Sequence, residues 1–290
     1  MLWLFLALLS AIFIALKNVI TKRLVSLTDR NVILYTGYLF SALFAILLIF
    51  FVGIPEIKPA FYYSIIIASI IDIIAMTFFL KAIASGELAK TFPLVAFTPV
   101  FLIATSFLIL GETTSIIGLS GILAISLGAY LLRSESVRVG ILEPLKLLLR
   151  EKGSRYMLIT AFLFSLIGPL FKKAILNSSP FFALATTEFL GTLLLILFFL
   201  PQKKICTIHK KIASNFKLLF LLSIATFFAA LALFAALNFS IPAVYVISIK
   251  RTSILFTIIL GFILFKEKNF ARNLIAGTII ILGIFLISLG

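Results

Sequence analysis

The chain has 290 residues, 63% of them hydrophobic and 12% charged, with a formal net charge of +15. Ordinary globular domains carry about 25% charged residues, so this composition excludes a water-soluble fold and points to an integral membrane protein. The basic residues fall in short gaps between apolar runs rather than on one basic domain, a distribution that fits loops beside anionic headgroups and excludes nucleic acid as the partner.

Crossing about 30 Å of hydrocarbon takes about 20 helical residues. Apolar runs of that length predict ten transmembrane helices near 2–20, 31–53, 61–80, 91–111, 114–132, 156–175, 181–200, 217–237, 241–265 and 272–289. The first run is apolar from Met1 to Leu16 without a basic leader, so it is expected to remain as a helix, with Trp3 as an interfacial anchor. Between the eighth and ninth runs the uncharged stretch 218–249 is too long for one upright helix, and Asn238-Phe239-Ser240-Ile241-Pro242 supplies a turn. None of the runs alternates as a barrel strand does. The fold class expected is an all-α integral membrane protein.

The longest polar connector divides the chain into residues 1–132, a connector 133–155 and residues 156–290. At an offset of 155 residues, Ser10 falls on Ser165, Lys17 on Lys172, Phe79 on Phe234, Ser85 on Ser240, Glu112 on Glu267 and Gly128 on Gly283. Such matches indicate a duplicated five-helix unit, and because five is odd the second copy enters the membrane from the opposite side, giving two inverted five-helix repeats. Within the connector, residues 139–150 form either a short interfacial helix or a plain linker. Of the 25 Lys and Arg residues, 19 lie in the odd-numbered connectors, so the positive-inside rule places those connectors in the cytoplasm and both termini outside. Lys172 and Lys173 count here as residues at the edge of the sixth span.

The segments Phe97-Thr98-Pro99 to Gly111-Glu112 and Lys250-Arg251-Thr252-Ser253 to Lys266-Glu267, each followed by a glycine-bearing helix, resemble the drug/metabolite transporter superfamily with two EamA-type domains. The resemblance covers nearly the whole chain. It implies ten helices, two inverted halves, a central substrate cavity and solute transport in place of chemistry. It also implies cytoplasmic termini, opposite to the charge count. Members carry amino acids, nucleobases, amphipathic drugs, sugar nucleotides or phosphorylated metabolites.

Charges inside the spans mark the candidate site. Asp72, Glu188, Lys250 and Arg251 lie deep in their runs, with Lys17 and Asn18 near the end of the first. A charge at the bilayer centre costs at least about 2.5–3.5 kcal/mol, so these residues need a partner or a polar cavity. Two readings are open: a structural set in which the acids neutralise the cations, or a cavity in which Lys250 or Arg251 holds an anionic group and an acid balances it. Adjacent helical positions are about 100° apart, so only one of the two cations is expected to face the cavity. Lys250-Arg251 also resembles the lysine-arginine pair of the phosphate-translocating branch of the superfamily. The corresponding first-half positions are Val95 and Ala96, where that branch keeps a lysine, so a carboxylate-bearing solute fits better than a phosphorylated one. Tyr35, Tyr38 and Tyr245 are candidate cavity aromatics. Pro93, Pro99, Gly168, Pro169 and Pro242 are candidate hinges. Glu112 and Glu267 end their spans and read as boundary or gating groups.

The single cysteine, Cys206, excludes an intrachain disulfide and a cysteine-cluster metal site, and the single histidine, His209, has no nearby acid. No phosphate-binding glycine loop is present, so no nucleotide, metal or other cofactor is expected. The expected function is secondary transport of a small metabolite, an amino acid or another carboxylate-bearing solute, across the cell membrane by alternating access, not an enzymatic activity. A coupling proton or a counter-substrate, membrane lipids and a monomeric or homodimeric state complete the expectation. The alternative is a non-enzymatic membrane protein handling lipid or amphipathic compounds.

Overall fold

A computed structural model describes residues 1–84, 92–133, 152–199, 211–265 and 270–290. Cys206, His209, Glu267 and the 139–150 segment lie outside the described residues. The principal elements among the described residues are eleven α-helices. In chain order they are α1 (Leu2–Val25), α2 (Arg30–Val52), α3 (Pro59–Ala84), α4 (Thr98–Leu110), α5 (Ile116–Arg133), α6 (Lys152–Leu176), α7 (Pro180–Phe199), α8 (Phe216–Leu237), α9 (Ala243–Lys250), α10 (Ser253–Phe265) and α11 (Phe270–Leu289). Six of them, α1–α3 and α6–α8, are long and apolar enough to cross a membrane. Their outer faces are correspondingly apolar: on α3, Ile66, Ile67, Ile70 and Ile74 recur at helical spacing and are all exposed.

Helix count departs from expectation because the ninth run is two helices. α9 ends at Lys250 and α10 begins at Ser253. Neither proline nor glycine causes the break. The backbone tightens instead to i→i−3 bonds: Thr252 N–H donates to Ile249 O at 2.9 Å, Ile254 N–H to Arg251 O at 3.1 Å and Leu255 N–H to Thr252 O at 2.9 Å. The fourth run is interrupted in the same way, a 3-10 helix over Phe92–Phe97 giving way to α4. Pro99 therefore sits in the first turn of α4, where its missing N–H costs no bond, instead of kinking a continuous helix. Pro93 lies in the 3-10 helix, Pro169 is inside an otherwise continuous α6, and Pro242 caps α9.

The helices pair across the midpoint of the chain. α3 packs along α6 and α1 along α8, while α2 meets α7 and α5 meets α11. α4 leans on α6, and α9 and α10 lean on α1, so the pattern is unchanged when the halves are exchanged. Small residues make the close approaches. Ala7, Ala11 and Ala15 form one fully buried face of α1, and Ser10 Oγ donates to Ala229 O at 2.8 Å on α8. α5 and α11 touch backbone to backbone at Gly121 and Gly283, with Gly121 also against Ile287 and Gly283 against Ile125, an antiparallel register.

Loop contacts sort the connectors into two faces. Asp29 in the first connector pairs with Lys211 in the seventh. Lys58 N–H in the second donates to Asn177 O in the sixth at 3.0 Å.

Candidate functional site

A cavity of about 190 Å³ lies among α1, α2, α3, α6, α7, α8 and the α9–α10 break. A single water needs only about 10–15 Å³ on the same scale, so the space admits a solute. Five charged residues line it: Lys17 of α1, Asp72 of α3, Glu188 of α7, and Lys250 and Arg251 at the break. Six of the eight candidate site residues, these five and Tyr38, thus converge on one wall system. Tyr35 lies outside that lining, and Tyr245 belongs to a separate cluster described below.

Sequence position explains the convergence. α1 brings Lys17 and Asn18 near its second-half turns, and Asn18 Nδ2 donates to Thr257 Oγ1 of α10 at 3.2 Å, tying the first helix to the broken one. Tyr38 donates its hydroxyl to Asp72 Oδ2 at 2.6 Å and so joins α2 to α3. The Arg251 guanidinium lies over the Phe164 ring at 5.1 Å, a cation–π contact that fixes it against α6. Both Lys250 and Arg251 line the cavity. Only one was expected to do so on a continuous helix, but α9 stops at Lys250 and the cavity touches both residues at the break.

No direct ion pair within 4.0 Å joins these five charges among the described residues. Asp72 is within electrostatic range of Lys17 and Lys250, and Glu188 of Lys17. Glu188 is only 5% exposed, and its Oε2 has no hydrogen-bond partner among the described residues; the same holds for Arg251 Nε. Such orphan groups are rare in a folded interior, and these two stand in the cavity wall. The mutual neutralisation of acids and cations considered from sequence is therefore not made by contact. The N-terminus of α10 adds its partial positive charge, with Ser253 and Ile254 in the cavity wall. On the first-half side the equivalent wall residue is Val95, buried and apolar.

A second polar cluster, not anticipated as a unit, lies where α8 turns into α9. Gly111 ends α4 in the left-handed region at φ 69, which turns the chain back on the bundle at Glu112. Glu112 Oε1 accepts from Lys172 Nζ, and its Oε2 accepts from Ser106 Oγ at 2.6 Å and from the Ala243 N–H at 2.7 Å. Lys172 also donates to Ile241 O. Lys172 is thus an interior residue, 4% exposed, and not the span-edge lysine expected from the loop count. Nearby, Ser115 N–H donates to the Tyr245 hydroxyl at 3.0 Å. The signal for this cluster was present in the sequence as the matched pairs Lys17/Lys172 and Glu112/Glu267, but nothing in a linear reading says which acid meets which base.

The profile of the EamA-like transporter family matches residues 1–134 and 151–289, two copies that together cover most of the chain. Among curated proteins none matches. A solved structure, titled only as the crystal structure of a protein, is similar at a TM-score of 0.74 with 13% identity, over 99% of this chain and 96% of that one. At that identity the likeness is one of fold.

Proposed function

The chain belongs to the EamA-like transporter family, and from that premise we propose that it is a secondary transporter of a small anionic metabolite, carrying it across the cell membrane by alternating access of two inverted five-helix halves. The observation that carries the anionic reading is the α9–α10 break, where Lys250, Arg251 and a helix N-terminus face one cavity without a direct carboxylate partner among the described residues. Arginine offers a rigid donor fork and lysine a mobile point charge, a combination that holds a carboxylate while the substrate turns. Asp72 and Glu188 balance the cations when no substrate is present and receive a proton or the cationic end of a zwitterion. Val95, the first-half counterpart of Lys250, is apolar, so the lysine-arginine pair of the break has no matching cation at that position, which favours a carboxylate over a phosphate. Exchange-symmetric helix pairing, the antiparallel α5–α11 contact and the two family matches support inverted repeats as the moving units.

The test is ligand stabilisation of the purified full-length protein in detergent, read as thermal shift against amino acids, dicarboxylates, phosphorylated sugars and nucleotides. Wild type is stabilised by at least one carboxylate compound, and Arg251→Gln binds it about tenfold to a hundredfold more weakly, the worth of one charge-assisted contact. Stabilisation by uncharged or cationic compounds alone, or an unchanged shift in both Arg251→Gln and Lys250→Gln, overturns the anionic reading.

A further inference from the structure

One end of the cavity lies toward the α8–α9 turn. On α8 its lining residues run from Leu222 to Phe234, and α8 itself ends three residues later at Leu237. At that end Phe171 and Phe234, both in the cavity wall, pack with ring centroids 4.9 Å apart. Beside these rings stand Lys172, the neighbour of Phe171, and the turn that carries Ile241 and Ala243. The polar cluster therefore lies between that end of the cavity and the α8–α9 turn.

We propose that Glu112 and Lys172 are the latch of a gate: their pair, clamped to the α9 N-terminus, closes this face of the transporter and must part for the site to open toward it. The inference rests on the transport reading of the cavity. Three features separate a latch from an ordinary buried pair. First, the carboxylate joins three elements, α4 through its own position after Gly111, α6 through Lys172 and α9 through the Ala243 N–H. Parting it releases α9, the helix whose far end presents Lys250 and Arg251 to the cavity. Second, the pair is held at a chain turn and at helix ends, where a small rigid shift breaks contacts, instead of within long helix packing. The flanking Ser115–Tyr245 bond again ties a turn to α9. Third, Lys172 is 4% exposed within the cluster, whereas Lys17, which stands 155 residues before it, is half-buried and lines the cavity, so the same residue type at matched positions faces the cluster in one half and the solute space in the other.

The experiment reports access and needs no known substrate. In full-length protein carrying Cys206→Ser, a single reporter cysteine at the cavity position Ala230→Cys is labelled with a membrane-impermeant maleimide added to one side of sealed vesicles of either orientation. With the latch intact, labelling is slow from the face of the α8–α9 turn and faster from the opposite face. Glu112→Gln and Lys172→Met each raise the rate from the latched face by roughly tenfold, as expected when a state held closed by a buried ion pair gains population. Gel-filtration elution and thermal midpoints identify properly folded variants. Equal rates from both faces with the latch intact overturn the proposal. So does an unchanged rate in either folded variant, since a latch fails when either member is lost. These outcomes are independent of whether any anion stabilises the protein, so failure of the latch and failure of the anion site are read separately.

Discussion

Tyr38 and Asp72 show how a half-buried acid is made tolerable in a membrane protein. The hydroxyl donates at 2.6 Å to a carboxylate that makes no ion pair within 4.0 Å among the described residues. The bond therefore carries much of the cost of placing Asp72 there. Tyr38→Phe and Asp72→Asn are each expected to lower the thermal midpoint, and the double variant is expected to lose less than the sum, with a coupling of about 0.5–3 kcal/mol. Strict additivity in thermal unfolding of the four proteins would show that the bond contributes nothing. Asp72 and Glu188 were visible in the sequence as charges in apolar runs. Their hydrogen-bond partners were not, because partners come from other helices at separations such as the 34 residues between Tyr38 and Asp72.

At the scale of elements, glycine separates two kinds of close approach. A Cβ on Gly283 falls 2.8 Å from the backbone oxygen of Gly121, and one on Gly121 falls 2.7 Å from that of Gly283. Backbone cannot yield there, so Gly283→Ala is expected to push α5 and α11 apart and cost about 1–3 kcal/mol. At Gly168 the first atom met is Ile247 Cδ1, the end of a flexible side chain, and Gly168→Ala should unfold within a degree or two of wild type, a difference worth only tenths of a kcal/mol. A melting series of the two variants checks the contrast, and equal losses would contradict it. The broken helices belong to the same scale. Proline and glycine are the usual sequence marks of a break, and Lys250-Arg251-Thr252 carries neither, so the interruption that creates the site was read as continuous helix.

At the scale of the whole molecule, Asp29 of the first connector meets Lys211 of the seventh and Lys58 of the second meets Asn177 of the sixth, so among the described residues connectors that are lysine-rich in sequence meet each other and sparsely charged ones do likewise. The lysine-rich connectors are expected in the cytoplasm, with both termini outside and the latched end of the cavity facing outward. A C-terminal reporter active only in the cytoplasm should be silent, and a strong signal would restore the cytoplasmic termini that the family resemblance implies. The exposed Asp29–Lys211 pair itself contributes at most about 1 kcal/mol and sets no orientation.

Membrane residence, helical class, the two matched halves and five of the charged site residues follow from linear information, because apolar run length, loop charge and repeat offset are properties of order along the chain. The pairing of α1 with α8 and of α3 with α6, the convergence of Lys17 with Arg251, and the meeting of Glu112 with Lys172 were decided only when the helices packed. Those contacts join residues tens to hundreds of positions apart, and their selection depends on small-residue faces and on where backbone polar groups are left free. Neither is legible before neighbouring helices are in place: Ser10 finds its acceptor, Ala229 O, only against α8, and the Ala243 N–H becomes a carboxylate anchor only because α9 starts beside Glu112.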